Sequence, residues 1–198
     1  MIAFVRHGQT ELNRGGRLQG RIDAPLSPLG VEQAAAVGRG FASEPVARIF
    51  SSPLQRARNT AAVIAEPHGI EVEVDERLIE LDYGDWDGTK LTDVPPESWS
   101  AWRTDPEFAP PGGETLADVA ARVAAFCAAV LGDELVIAVS HVSPIKAAVC
   151  NALQVDDRVT WRMQLDLAAV TRLGRRPDGS PYLVGFNDAS LVKDVALP

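Results

Sequence analysis

An α/β fold is the expectation for this chain: a three-layer sandwich with a mostly parallel central sheet and an antiparallel hairpin at one edge. Three features carry it. Short apolar runs stop abruptly at polar residues or glycine, capped helical segments separate them, and the last two runs flank a Pro177-Asp178-Gly179 turn. Strands that alternate with helices return in parallel, whereas a tight turn brings the chain back antiparallel. At 198 residues a single domain over 1–198 is the default, long enough to bury a substantial core.

Ile2 to Val5 reads as a strand buried on both faces. Ser27-Pro28 supplies a cap and a first-turn proline for a helix running to about Phe41. Ala47 to Phe50 is a second strand. Ser52-Pro53 repeats the cap-proline pair and opens a helix from about Leu54 to Ala65, closed by Pro67 and Gly69. A third strand is Val72 to Val74. Arg77 to Lys90 is rich in turns, and Leu91 to Gly113, rich in proline and tryptophan, reads as an aperiodic excursion over one face. Thr115 with Asp118 forms a capping-box pattern ahead of a helix from Leu116 to Leu131. Leu135 to Val139 is the clearest buried strand, and Pro144 to Leu153 a further helix. Leu167 to Leu173 and Tyr182 to Phe186 form the edge hairpin.

Composition narrows the function. Nineteen Lys and Arg against 27 Asp and Glu leave a net charge of −8, which disfavours nucleic acid or an anionic membrane as partner. No uncharged apolar run approaches the roughly 18 to 20 residues of a membrane helix, and the start lacks the basic region of a signal peptide. A cytoplasmic location follows as the expectation. Cys127 and Cys150 lie in apolar helical patterns as small core residues, forming neither a disulfide framework nor a metal site.

Of the three histidines, His7 and His141 each follow a predicted strand, while His68 lies in a Pro-His-Gly turn where solvation is expected. Ligands of open α/β sheets bind beyond the carboxyl ends of strands, so His7 and His141 can converge there. Arg6 precedes His7, and Arg56 lies near the start of the helix after Ser52. Two guanidinium forks at one sheet edge suit a tetrahedral anion. Asp85-Trp86-Asp87-Gly88-Thr89 also spells the DxDGT nucleophile pattern of magnesium-dependent aspartate phosphatases, but in a turn-rich segment rather than at the end of a buried strand.

Arg6-His7-Gly8-Gln9-Thr10-Glu11-Leu12-Asn13 closely resembles the opening signature of the histidine phosphatase superfamily, the phosphoglycerate-mutase-like proteins. Blocks around Leu26 to Gly30, Ser51 to Ala57, Leu78 to Gly84, Pro111 to Thr115 and Ser140-His141 resemble its later motifs in order. The resemblance implies a two-step transfer without metal or cofactor. His7 would become a phosphohistidine, Arg6, Arg56 and His141 would hold the equatorial oxygens, and Asn13 would add a phosphate contact. Glu80 would protonate the leaving oxygen and then accept a proton from water. Gln19, Gly20, Tyr83 and Val142 fall near family substrate contacts. Val142-Ser143-Pro144 replaces the glycine that many members carry, and the segment from Glu80 to Gly113 is short beside the mutases. Both features favour a phosphatase acting on a small phosphomonoester over mutase activity or a non-catalytic binding module. Oligomeric state stays open, a homodimer included.

Overall fold

The computed structural model describes residues 1–105 and 107–195; the predicted excursion at position 106 and the domain's last positions, 196–198, lie outside the described residues. One six-stranded sheet organises the molecule. Its strands are β1 (Ile2–Arg6), β2 (Val46–Ser51), β3 (Val72–Val74), β4 (Leu135–Ser140), β5 (Val170–Arg175) and β6 (Pro181–Asp188), in the order β3-β2-β4-β1-β5-β6. The first four of that order run parallel, and β5 and β6 add an antiparallel edge, as expected.

Helices α1 (Glu11–Arg14), α2 (Pro28–Phe41), α3 (Gln55–Ala65), α4 (Pro96–Thr104), α5 (Leu116–Val130) and α6 (Val142–Leu153) complete the regular structure. Alternation along β1 separates two cores. Ala3 and Val5 pack with Val37, Phe41, Ala61 and Ile64 of α2 and α3, whereas Ile2 and Phe4 pack with Val119, Val123, Phe126 and Ile145 of α5 and α6. Each fully buried side chain of this size contributes roughly 1.5 to 3 kcal/mol. Among the described residues no helix is long and apolar enough to cross a membrane.

Local chemistry explains most of the helix starts. Ser27 Oγ accepts from Gly30 N (3.2 Å) with Pro28 at the first position of α2, and Thr115 and Asp118 close the capping box of α5. The loop after β1 is pinned against the start of α2, where Ser27 N donates to Gln9 O (2.8 Å). Here Gly8 and Gly30 allow two backbones to touch: a Cβ on Gly8 would lie 2.3 Å from Gly30 O, and one on Gly30 would lie 2.0 Å from Gln9 O.

Four boundaries differ from the sequence expectation. Ser52 does not cap α3, whose N-cap is Leu54 without a side-chain hydrogen bond; the Ser52 hydroxyl accepts from Leu54 N (3.3 Å), short of the helix, and bonds the His141 ring. Helix α6 begins at Val142, two residues before Pro144, because a carboxylate from another segment satisfies its first N–H groups. Strand β5 begins at Val170 rather than Leu167, since Ala168 turns to φ +57° and donates its N–H to His7 O (3.2 Å). The proline- and tryptophan-rich excursion contains α4, whose helix packs on aromatic rings rather than showing a clean apolar stripe.

Candidate active site

Parallel register sets Arg6 beside Ser140, and Val139 beside both Val5 and Ser51, so the chain ends that follow β1, β2 and β4 meet at one edge. Backbone bonds lock them there: His7 N donates to Ser140 O (3.1 Å) and Ser52 N to Val139 O (2.9 Å). His7, Arg56 and His141 are all buried, Arg56 completely.

The rings of His7 and His141 lie 5.0 Å apart between centroids. His7 Nδ1 bonds Gly8 O (2.7 Å); a carbonyl can only accept, so Nδ1 carries the proton and Nε2 presents a lone pair. Arg56 Nε donates to that Nε2 (3.2 Å), and its terminal nitrogens donate to Ile22 O (2.8 Å) and Gly20 O (2.7 Å). This arginine is itself held from behind by Thr60, whose hydroxyl donates to Arg56 O (2.8 Å) and accepts from Gly8 N (3.3 Å). His141 Nε2 pairs with Ser52 Oγ (2.7 Å), and Arg6 Nη1 donates to Leu165 O (2.6 Å).

Glu80 closes the opposite wall. Its carboxyl group accepts from the backbone N–H groups of Leu81 (2.8 Å), Val142 (3.2 Å) and Ser143 (3.2 Å), which seats it at the N-terminus of α6. Arg122 braces this segment, donating to Arg77 O (2.8 Å) and Glu80 O (3.3 Å) while pairing with Glu114 (2.9 Å). Asn13 spends its amide oxygen on the Thr10 capping box of α1, leaving its NH2 group for a ligand. Gln19 accepts from Thr10 Oγ1 (2.6 Å), and Gly20 donates its N–H to Asp87. Tyr83 packs edge-on against Trp102 (5.7 Å).

Burial and the neighbouring charges of Arg56 and Arg6 hold the His7 imidazole well below its usual pKa; His141 is lowered by burial, Arg56 and its neighbour His7. Burial also brings Arg6 down to about 10. Both rings are therefore neutral near neutral pH. Three buried polar atoms, the donors Arg6 Nε and Gln19 Nε2 and the His141 ring nitrogen Nδ1, have no protein partner.

Of the ten sequence-chosen residues, Arg56 joins His7 to the backbone of Gln19 and Gly20, His141 lies beside His7, and Val142 contributes its backbone N–H to Glu80 rather than a side-chain contact. His68 departs from expectation: it is half-buried, with Nε2 shut from solvent and unpartnered. The DxDGT segment lies at no strand end; Asp87 binds the N–H groups of Gly20 and Arg21. Ser52, Thr60 and Arg122 escaped sequence reasoning as site supports, because single polar residues carry no spacing signal. Among the described residues no group of three or more His, Cys, Asp or Glu side chains is placed to hold a metal ion.

The family model of the histidine phosphatase superfamily (branch 1) matches residues 2–189. A bifunctional protein of Mycobacterium tuberculosis is 37% identical over 186 residues, covering 90% of this chain and 51% of that protein. The chain thus spans about half the length of the first curated relatives it matches. Phosphoserine phosphatase 1 of Hydrogenobacter thermophilus is 37% identical over 177 residues, covering 85% of this chain and 83% of that one. Among solved structures, a mycobacterial glucosyl-3-phosphoglycerate phosphatase complexed with VO3 superposes with a TM-score of 0.85 at 34% identity, covering 95% of this chain and 99% of that chain.

Proposed function

The chain belongs to the histidine phosphatase superfamily, and from that premise we propose that it hydrolyses a small phosphomonoester through a phosphohistidine on His7. One observation carries the reading. Arg6 Nε and Gln19 Nε2 are buried donors, and His141 Nδ1 a buried ring nitrogen, without protein partners, in the same site as a neutral imidazole whose Nε2 lone pair is held only by Arg56 Nε (3.2 Å). Buried donors are nearly always satisfied in native proteins, so an acceptor-rich group belongs among them. A phosphoryl group supplies three such oxygens.

In the first step His7 Nε2 forms a bond to phosphorus as the ester oxygen departs, taking the proton that Glu80 delivers. Arg56 Nε releases its bond to Nε2 and turns its charge onto the oxygens, beside Arg6 and His141. Charge spread over those oxygens is what a loose transition state needs stabilised. In the second step water attacks phosphorus, the N–P bond breaks, and the proton from water returns to Glu80. Asn13 adds its NH2 group to the phosphate shell, and Gln19, Gly20, Tyr83 and Val142 border the leaving group. Hydrolysis rather than mutase transfer is supported by the phosphatase names of the relatives and by the short segment between Glu80 and Gly113. The two buried free thiols, Cys127 and Cys150, suit a reducing cytoplasmic setting.

Rapid quenching with phosphorus-labelled substrate tests this reading. Acid-labile, base-stable label is expected on His7 and is lost in His7→Ala, with turnover unaffected by EDTA. Label on Asp85 overturns it.

A further inference from the structure

Glu80 stands on a segment that no strand holds: residues 79–82 belong to neither helix nor sheet. A general acid that must meet one oxygen of the substrate therefore takes its position from groups elsewhere in the chain. Most of them come from α5 and the residue that leads into it. Arg122 Nη1 donates to Arg77 O (2.8 Å) and Nη2 to Glu80 O (3.3 Å), so a single guanidinium grips the segment at Glu80 and three residues before it. Glu114 grips the other end, where its N donates to Asp82 O (3.0 Å) and its carboxylate accepts from Asp82 N (3.3 Å). The two grips are joined. Arg122 Nε and Nη2 donate to the Glu114 carboxylate (2.9 and 3.1 Å), and the pair is largely buried, at 17% and 14% exposure. From the sheet side, Ser140 Oγ donates to Leu78 O (2.7 Å).

This clamp bears on one carboxyl group. Glu80 Oε1 takes the N–H groups of Leu81 and Ser143 while Oε2 takes that of Val142 alone, which leaves Oε2 the freer lone pair for a transferable proton. Misplacing a catalytic group by about 1 Å can cost on the order of 10²-fold. Arg122 hydrogen-bonds none of Arg6, His7, Arg56 or His141. Burial is the main reason that the His141 pKa is low, and the charge of Arg122 adds only a lesser part, which a lysine at 122 would retain.

We propose that Arg122, paired with Glu114, is a positioning residue for the general acid: it fixes the backbone on either side of the Glu80 carboxyl so that Oε2 meets the leaving oxygen. The assignment rests on the phosphatase reading above. A buried ion pair often adds little stability over apolar groups of the same shape, so what this pair contributes is geometry.

Glycerol 3-phosphate releases an alkoxide that needs the proton, and p-nitrophenyl phosphate releases an anion that does not. Arg122→Met should slow single-turnover phosphoenzyme formation about 10- to 100-fold more with the first ester than with the second. In a Glu80→Gln chain the same substitution should add nothing to that selectivity. Arg122→Lys keeps the charge without the planar fork, and Glu114→Gln keeps the shape; both should show the same selectivity in smaller measure, including where Arg122→Met fails to fold. A merely structural arginine lowers both rates alike, so equal losses on the two esters, or a selective loss that persists undiminished without Glu80, overturns the role. Amide hydrogen exchange needs no turnover. The N–H groups of Leu81, Val142 and Ser143 should exchange faster in the Arg122 variants while those of β4 stay protected. That pattern supports the positioning even if no ester is hydrolysed, and unchanged exchange at all three overturns it even if hydrolysis is confirmed.

Discussion

The floor of the site and its cover are built by different means. Arg6 ends a strand, and His7, Ser52 and His141 follow strands, whose backbones are bonded to neighbours on both sides, so each side chain inherits the sheet's rigidity. The cover, residues 83–105 and Phe108 with Trp161, lies outside the sheet and is held by rings: Trp102 stacks on Trp99 (5.6 Å), meets Trp161 (5.0 Å) and adjoins Trp86 (5.7 Å). The start of the cover is held to the loop before α5, where Asp85 N donates to Pro111 O (2.8 Å); Gly84, at φ +52°, allows that approach because a Cβ would lie 2.1 Å from the same oxygen. A phosphoryl group is the same in every substrate and suits a rigid receptor, whereas leaving groups vary and suit a wall that can be rebuilt residue by residue.

The largest expected effect falls on the floor. His7→Ala removes the nucleophile and should lower turnover by about 10⁴-fold or more, with the melting temperature little changed. Loss of activity through unfolding, visible as a collapsed melting transition, would show instead that the histidine holds the floor together. Glu80→Gln sits between the two regions. It should slow phosphoenzyme formation by about 10²- to 10⁴-fold with alkyl phosphates and much less with p-nitrophenyl phosphate, whose leaving group departs as an anion. Single-turnover rates decide this, and a larger substrate-selective loss in Asp82→Asn would move the acid role to Asp82.

Trp102→Ala tests the cover. Removing a buried ring should cost roughly 3 to 5 kcal/mol in urea unfolding, while label still forms on His7 in the folded fraction. Abolished labelling in folded protein would mean that the floor depends on the cover. The smallest effect is on pH. His7 and His141 have folded pKa values below the unfolded value near 6.5, so the unfolded chain takes up their protons first. Their contribution to stability is complete above about pH 6.5 and declines below it, by at most about 1.4 kcal/mol per pH unit for each ring. Urea midpoints at pH 7.5, 6.0 and 5.0 should fall less steeply in His7→Asn than in the native chain, and identical slopes would count against a neutral buried His7.

The same division explains what could be read from residues alone. Strands β1, β2 and β4 announce themselves as apolar runs, and Arg6, His7 and His141 follow from where those runs stop. Helix α2 follows from Ser27-Pro28 and α5 from its capping box. The cover was illegible because α4 owes its stability to Trp99, Trp102 and Trp161 meeting across 62 residues of chain, a long-range arrangement without local period. Ser52 misled for a related reason: a serine before proline caps a helix in isolation, but here its hydroxyl bonds the His141 ring.

The crossing of Gly8 and Gly30 has a consequence for how this molecule can vary. At either position the obstacle to a side chain is backbone, Gly30 O in one direction and Gln9 O in the other. No substitution at the opposing residue can remove a carbonyl oxygen, so damage from Gly8→Ala has no second-site remedy at position 30, and a double variant should be at least as impaired as the worse single one. The mutational neighbourhood around the nucleophile is therefore a dead end in which compensation is closed off. Change in this chain is channelled toward the aromatic wall, where side chains face side chains and one alteration can be answered by another.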